Sequence, residues 1–361
     1  MIGERNFEHY ARQRKEYGPL CKNVEDFYPT SKKLDGEKSF GLIPNKIVSK
    51  LIDKSNGNVR GEASEMLQIE IERCVKIQDI IPFLKSFLGF LSDLVEDINR
   101  RVVINILHTI LILQERLPAK MGGQLNLLIK ILLKINSEGK KEIKILIYQN
   151  VKQLMSTGPV QTVVCELCEV AGARAAPRVR EEVLGLLSLG LLSLPSSALD
   201  LERISLTAAE ALTDRARRVR RAALECLALA GQCLGHQRRL DLIELVARLD
   251  RREKSCGQMV RAVSARLSRK CLPRLSSDGL VEYGPSVAGP DMDWVIKGAG
   301  PLTLSSPGGR AGSHSRRSRA DSSGGAGRAL KPRTPSLPPM GSRPEYGSVG
   351  KMRSTRHSFA Q

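Results

Sequence analysis

The sequence predicts an all-α protein, an α-solenoid of about six HEAT-like helical pairs, and three observations carry that prediction. Aromatic residues make up only 4% of the chain against 41% apolar residues overall. Leu, Ile, Val and Ala must therefore fill the interior, as they do in packed helices more than in β-sandwiches. Residues 39–275 read as an almost unbroken helical pattern. Within that pattern a motif recurs: a helix ends, a polar loop follows, often opening with Asp, and Val-Arg or an equivalent starts the next helix. The anchors Val59, Val102, Ile143, Val179, Val219 and Val260 stand 43, 41, 36, 40 and 41 residues apart, the period of HEAT and armadillo repeats.

Taken in order, residues 1–38 form a polar N-terminal segment, broken by Gly18, Pro29 and Gly36, with one short helix expected before residue 17. The array follows over 39–275. Its units turn at LIDKSNGNVRGEA (51–63), LVEDINRRVVIN (94–105), LLKINSEGKKEIKI (132–145), GARAAPRVREEV (172–183), LTDRARRVRRAA (212–223) and LDRREKSCGQMVRAV (249–263). In the fifth unit Val219, Ala223, Cys226, Leu227, Ala230 and Leu234 share one helical face. A single pair cannot bury such a stripe, so stacking predicts one continuous core in a rod-like, slightly curved slab. Pro44, Pro82, Pro118, Pro159 and Pro195 fall near the ends of the first helix of a pair, where proline is tolerated. Residues 276–298 are expected to pack on or near the array. From 299 to 361 the chain becomes a Ser/Gly/Pro/Arg-rich basic tail, read as disordered: 297–361 holds twelve Lys and Arg against two acidic residues.

Charge and motifs narrow the function classes. The net charge of +19, from 57 Lys and Arg against 38 Asp and Glu, favours an acidic partner. Catalysis has no visible machinery. The histidines His9, His108, His236, His314 and His357 are scattered, and no phosphate loop, nucleophile elbow or HExxH is present. The pair Cys165 and Cys168 lacks a second pair or nearby histidines, so no metal and no cofactor is implied. Most of the eight cysteines lie among Leu, Val and Ala and read as small buried residues of a reducing compartment. A folded reader of nucleic acid adds stacking aromatics to its cations. The loops here carry none, and Trp294 lies past the repeats, so nucleic acid is limited to non-specific attraction to the tail. The longest apolar run, LGLLSLGLLSL (184–194), is too short for a membrane span, and the first residues lack a signal peptide's apolar run. An intracellular, soluble protein is expected.

Stacked pairs place all six within-pair loops along one edge. That edge collects Lys54, Asn56, Arg100, Arg101, Lys140, Lys141, Arg174, Arg178, Arg215, Arg217 and Arg218, with Arg251, Arg252 and Lys254 completing it. Other charges read as structural. Asp53, Asp97, Asp214 and Asp250 precede helix N-termini, where a carboxylate caps free amides and meets the favourable end of the dipole. Arg60, Arg180, Arg220 and Arg261 each follow an anchor and are expected to pair with such an Asp in the neighbouring repeat.

At this point a family resemblance emerges. Six HEAT pairs with binding on the within-pair loops resemble a TOG domain, the tubulin-binding module of microtubule polymerases and CLASP-type regulators. FGLIPNKIVSKLID (40–53), VRAVSARLSRKCLPRLSSDGLVEYG (260–284) and DMDWVIKG (291–298) resemble the flanks of an internal TOG domain in the TOG array regulator of axonemal microtubules, or crescerin, family. The resemblance covers about 39–298. It implies that the loop edge docks on the acidic side of αβ-tubulin or on microtubules, the first repeat facing β-tubulin and the fifth α-tubulin. It also implies regulation of ciliary or axonemal microtubule polymerisation or stability, a place in the cytoplasm, cytoskeleton, cilium or basal body, and contact with other ciliary or cytoskeletal proteins. On this reading the contacts are Lys54 and Asn56, Arg100 and Arg101, Lys140 and Lys141, Arg174 and Arg178, then Arg215, Arg217 and Arg218. Two departures stand out: the first loop has Asn-Gly where strong tubulin binders have an aromatic, and only one array is present. An alternative reading is a HEAT scaffold holding an acidic protein on its concave face without touching tubulin.

Overall fold

The structure is a computed structural model that describes residues 38–172 and 175–298. Expectations for 1–37 and 299–361, and for Arg174, lie outside the described residues.

The chain opens with an antiparallel hairpin, β1 (Lys38–Ser39) with β2 (Ile43–Pro44). Its turn holds Gly41 at φ 74°, and a Cβ there would lie 2.7 Å from the Asp79 carbonyl oxygen, so only glycine fits. The same turn sets Phe40 against Phe87 and Phe90, ring centroids 5.2 and 5.6 Å away, which fastens the hairpin to the second repeat.

Six helical pairs follow, as the period predicts. They are α1 (Asn45–Ile52) with α2 (Gly57–Arg73), then α3 (Leu84–Leu94) with α4 (Arg100–Arg116). A short α5 (Pro118–Gly122) leads into α6 (Leu125–Lys134) with α7 (Lys141–Thr157), and α8 (Val160–Val170) pairs with α9 (Pro177–Ser193). The fifth pair is α10 (Leu201–Glu210) with the first half of α11 (Arg217–Arg252). Gly235, at φ 74°, breaks α11, and its second half pairs with α12 (Gln258–Ser268) to make the sixth. A helix cannot pass through that backbone conformation, so one long helix serves two repeats.

The second helices stack on one another in the order α2, α4, α7, α9, α11 and α12. Anchors between two neighbours lose all exposure: Val102, Ile143, Val179 and Val219 are at 0%. Val59 and Val260, at the two ends of the array, are only half-buried, because each lacks a neighbouring repeat on one side. In α9 every residue from Val183 to Leu191 is buried, since this helix is covered on all sides, and the long apolar run becomes a core helix.

Two further features follow the sixth pair. β3 (Arg274–Leu275) and β4 (Val281–Glu282) form a second hairpin that packs on α9, with the Arg221 guanidinium 5.7 Å from the Tyr283 ring centroid. A last helix, α13 (Pro290–Lys297), packs on α11 and α12. Trp294 is buried there and its indole N–H donates to the Leu212 carbonyl at 3.1 Å, so this lone tryptophan fastens α13 to the fifth repeat. Among the described residues no helix is long and apolar enough to cross a membrane.

Candidate functional site

Each loop between paired helices is built from its own polar residues. Asn56 caps α2, its side-chain oxygen accepting from the amides of Asn58 and Val59 at 3.0 and 3.4 Å. Asn99 caps α4 in the same way, through Arg101 N–H at 3.0 Å. The recurring Asp does something other than the sequence suggests. Asp53, Asp97 and Asp214 accept from the amides two residues on, of Ser55, Asn99 and Ala216, at 2.9, 2.7 and 2.7 Å. They stand too far ahead of the helix to reach its first amides, and instead close the loop as Asx turns. Bonds from Ser55 hold the Asp53 carboxyl below its usual pKa. Asp250 alone reaches the following helix, accepting from Gly257 N–H at 2.6 Å and Met259 N–H at 2.9 Å.

Bonds between loops show that they share an edge. Arg60 crosses from the first to the second, its Nε and Nη2 on the two Asp97 oxygens at 2.6 and 3.2 Å, and that bond raises its pKa. Asn99 donates back to Gly57 O at 2.6 Å. Arg100 reaches Glu142 at 2.6 Å and Lys134 reaches Glu96 at 2.9 Å, joining the second and third loops. Arg178 donates to Ile135 O at 2.6 Å, joining fourth to third, and Arg180 reaches Asp214 at 2.5 Å, joining fourth to fifth. Arg218 spans two repeats, to Glu138 at 3.0 Å and Glu181 at 3.3 Å.

The ladder of Arg on Asp stops after two rungs of this kind. Arg220 bonds backbone carbonyls of α13 and of its own loop, because α13 occupies the place where another repeat's carboxylate would stand. Burial pushes its pKa down, and Asp214 pulls it back in part. Arg261 is exposed and bonds no carboxylate among the described residues, since the array ends beside it.

The expected contact residues divide into two groups. Arg100, Arg101, Lys141 and Arg218 are exposed but paired, with Glu142, Glu65, Asp278 and the two glutamates named above. Lys141 reaches Asp278 in the β3–β4 turn at 2.6 Å, which raises its pKa. Arg178 is half-buried on its carbonyl, and the Asn56 side chain is occupied as a helix cap. Lys54, Lys140, Arg215 and Arg217 are exposed and make no side-chain bond to the described residues. They lie on the first, third and fifth loops and, with Arg251 and Lys254 on the sixth, which are likewise exposed without a side-chain bond to the described residues, form the edge's unneutralised charge.

The repeat pattern gave no sign of the carboxylates threaded among these cations. Glu138 and Glu142 are the exception, standing within two residues of Lys140 and Lys141 in SEGKKE. It also passed over Ile98, 88% exposed at the tip of the second loop between Asp97 and Asn99. Among the described residues no group of three His, Cys, Asp or Glu side chains is placed to hold a metal ion. Cys165 bonds Glu169 at 3.6 Å rather than joining Cys168 in a site. The seven cysteines described are free thiols. Cys256 and Cys271 are exposed, and Cys226 is buried with its pKa pushed up to about 12.

No family model matches the chain. Against known proteins it is 33% identical over 271 residues to human TOG array regulator of axonemal microtubules protein 1, a match spanning 72% of this chain and 16% of that protein. It is 25% identical over 280 residues to the Caenorhabditis elegans crescerin-like protein che-12, spanning 72% of this chain and 22% of the relative. The chain thus spans about a sixth to a fifth of the length of these relatives. A solved structure described as "Crescerin uses a TOG domain array to regulate microtubules in the primary cilium" superposes with a TM-score of 0.63 at 30% identity. That match covers 70% of this chain and 100% of the other. The stacked pairs, the closing tryptophan helix and these likenesses agree: the chain belongs to the TOG array regulator of axonemal microtubules, or crescerin, family of TOG-domain proteins.

Proposed function

We propose that this chain binds tubulin or the microtubule lattice through the loop edge, and so regulates the growth or stability of ciliary microtubules. The observation that carries this is the row of unneutralised cations Lys54, Lys140, Arg215 and Arg217, on loops that the inter-loop bonds hold in register. An acidic protein surface meets that row without first breaking an ion pair. The paired cations serve differently: Arg100 and Arg218 tie loops together, Arg101 ties the second loop to α2 and Lys141 ties the third to the β3–β4 turn, and a partner would have to compete with their glutamates and aspartate. The names of the relatives, a regulator of axonemal microtubules and a crescerin that regulates microtubules in the primary cilium, support the same reading.

The interface has no aromatic in its first loop, where Lys54, Ser55 and Asn56 are exposed polar residues. Charges alone steer and orient more than they hold, so the single domain binds weakly. The test is co-sedimentation of the full chain with microtubules and with free tubulin. Reversing Lys54, Lys140, Arg215 and Arg217 to Glu removes binding while the melting temperature stays put, since exposed unpaired charges contribute within about 0.5 kcal/mol. Unchanged pelleting of that variant overturns the proposal.

A further inference from the structure

Helix α13 brings to the loop edge two exposed residues that the repeat pattern does not contain. The connection runs through Arg220, which is 4% exposed. A guanidinium has five N–H groups, and here backbone carbonyls accept all five. Nε donates to Trp294 O at 3.2 Å, and Nη2 to Val295 O and Ile296 O at 2.5 and 3.2 Å. Nη1 donates to Asp214 O and Arg215 O at 2.6 and 2.8 Å. The three α13 carbonyls belong to its last turn and carry partial negative charge; Trp294 O also accepts from Gly298 N–H at 2.8 Å, while those of Val295 and Ile296 have no helical partner. One buried cation therefore caps α13 and grips the fifth loop together. Gly298 makes this possible: it sits at φ 61°, and a Cβ there would stand 3.0 Å from the Arg220 guanidinium carbon. On the other flank Trp294 donates to Leu212 O, at the start of the same loop.

The last turn of α13 is thus fixed beside Arg215, its Ile296 carbonyl and the Arg215 carbonyl held by two nitrogens of one side chain. Ile296 is 50% exposed and Lys297 is exposed. Among the described residues neither has an ion pair or a covering neighbour to explain an apolar side chain next to a cluster of cations.

Resting on the reading of the loop edge above, we propose that Ile296 and Lys297 extend that edge past the fifth loop as part of the same docking surface. Lys297 adds a cation beside Arg215 and Arg217, and Ile296 supplies an apolar contact of the kind the first loop lacks. The occupant is the acidic tubulin surface that the edge binds. Continuity with the edge through Arg220 and the match of charge favour it.

The test uses the full chain in tubulin co-sedimentation, with thermal melting alongside. Ile296→Glu with Lys297→Glu weakens binding about tenfold or more, and Ile296→Ala alone weakens it severalfold, as expected for burying an exposed aliphatic side chain. Ile296→Ala leaves the melting temperature unchanged, since the clamp holds backbone carbonyls only, and the double variant lowers it only slightly, by the loss of one cation from a helix C-terminus. Wild-type binding by the double variant overturns this extension, and leaves the edge standing if Lys54→Glu with Lys140→Glu is impaired. If the α13 variants weaken binding while reversal of all four edge cations does not, the extension holds and the loop-edge reading fails. A wild-type chain that does not bind tubulin overturns both.

Discussion

Glu182 shows how far one side chain can depart from its appearance in the sequence. In RVREEV it reads as a surface carboxylate beside Glu181. In the fold it is 7% exposed, with one oxygen lacking a hydrogen bond and the other 3.7 Å from the Lys144 ammonium. Burial raises its pKa above 4.5, and Lys144 offsets this only in part. A carboxyl whose pKa is higher folded than unfolded binds its proton more tightly in the native state. It costs nothing below the unfolded value, and its cost grows as pH rises through the folded one. Glu182→Gln removes that penalty. The expected outcome is a higher melting temperature at about pH 7, with little difference from wild type at about pH 4, read from melts across the range. A melting curve that shifts equally at both pH values counts against the assignment. Elsewhere at this scale the types of residue were legible and their partners only in part. Arg60 and Arg180 find an Asp, but Arg220, in the same register, finds five carbonyls.

At the level of the element, the helix pairs were the most legible part of the chain, because amphipathic periodicity is written within each helix. How closely two helices approach is not. The α7–α9 contact is set by Gly185, where a Cβ would lie 2.2 Å from the Tyr148 hydroxyl oxygen. Gly185→Ala is expected to destabilise by about 1–3 kcal/mol, since the buried ring has nowhere to move. Pairing it with Tyr148→Phe removes the clashing oxygen and recovers part of the loss, a coupling that a denaturation cycle measures. Additive losses would mean that the helices simply separate. The break at Gly235 was similarly hidden: GQCLGHQ carries no proline and reads as uninterrupted helix, yet the positive-φ backbone there turns one element into members of two repeats. The two hairpins escaped notice because two-residue strands leave no alternation to detect.

Across the whole array, charge behaves differently from its sum. The net charge of +19 suggests a uniformly basic edge, but the fold pairs Arg100, Arg101, Lys141 and Arg218 with carboxylates of neighbouring helices, loops and the β3–β4 turn. Binding through the remainder acts across solvent, where the screening length is about 8 Å at physiological ionic strength. Tubulin co-sedimentation is therefore expected to fall steeply between about 50 and 200 mM salt, while thermal stability, held by a buried aliphatic core, changes little. Binding indifferent to salt would point to an apolar contact as the main holder.

The sequence by itself determined the helices, their period near 40 residues and the placing of six polar loops, because each is a short-range property of backbone and side-chain spacing. Tertiary structure decided which charges remain unpaired, where α13 docks and what Arg220 holds. Those outcomes depend on residues such as Arg218 and Glu138, or Arg220 and Trp294, which are 80 and 74 positions apart and meet only once the repeats have stacked.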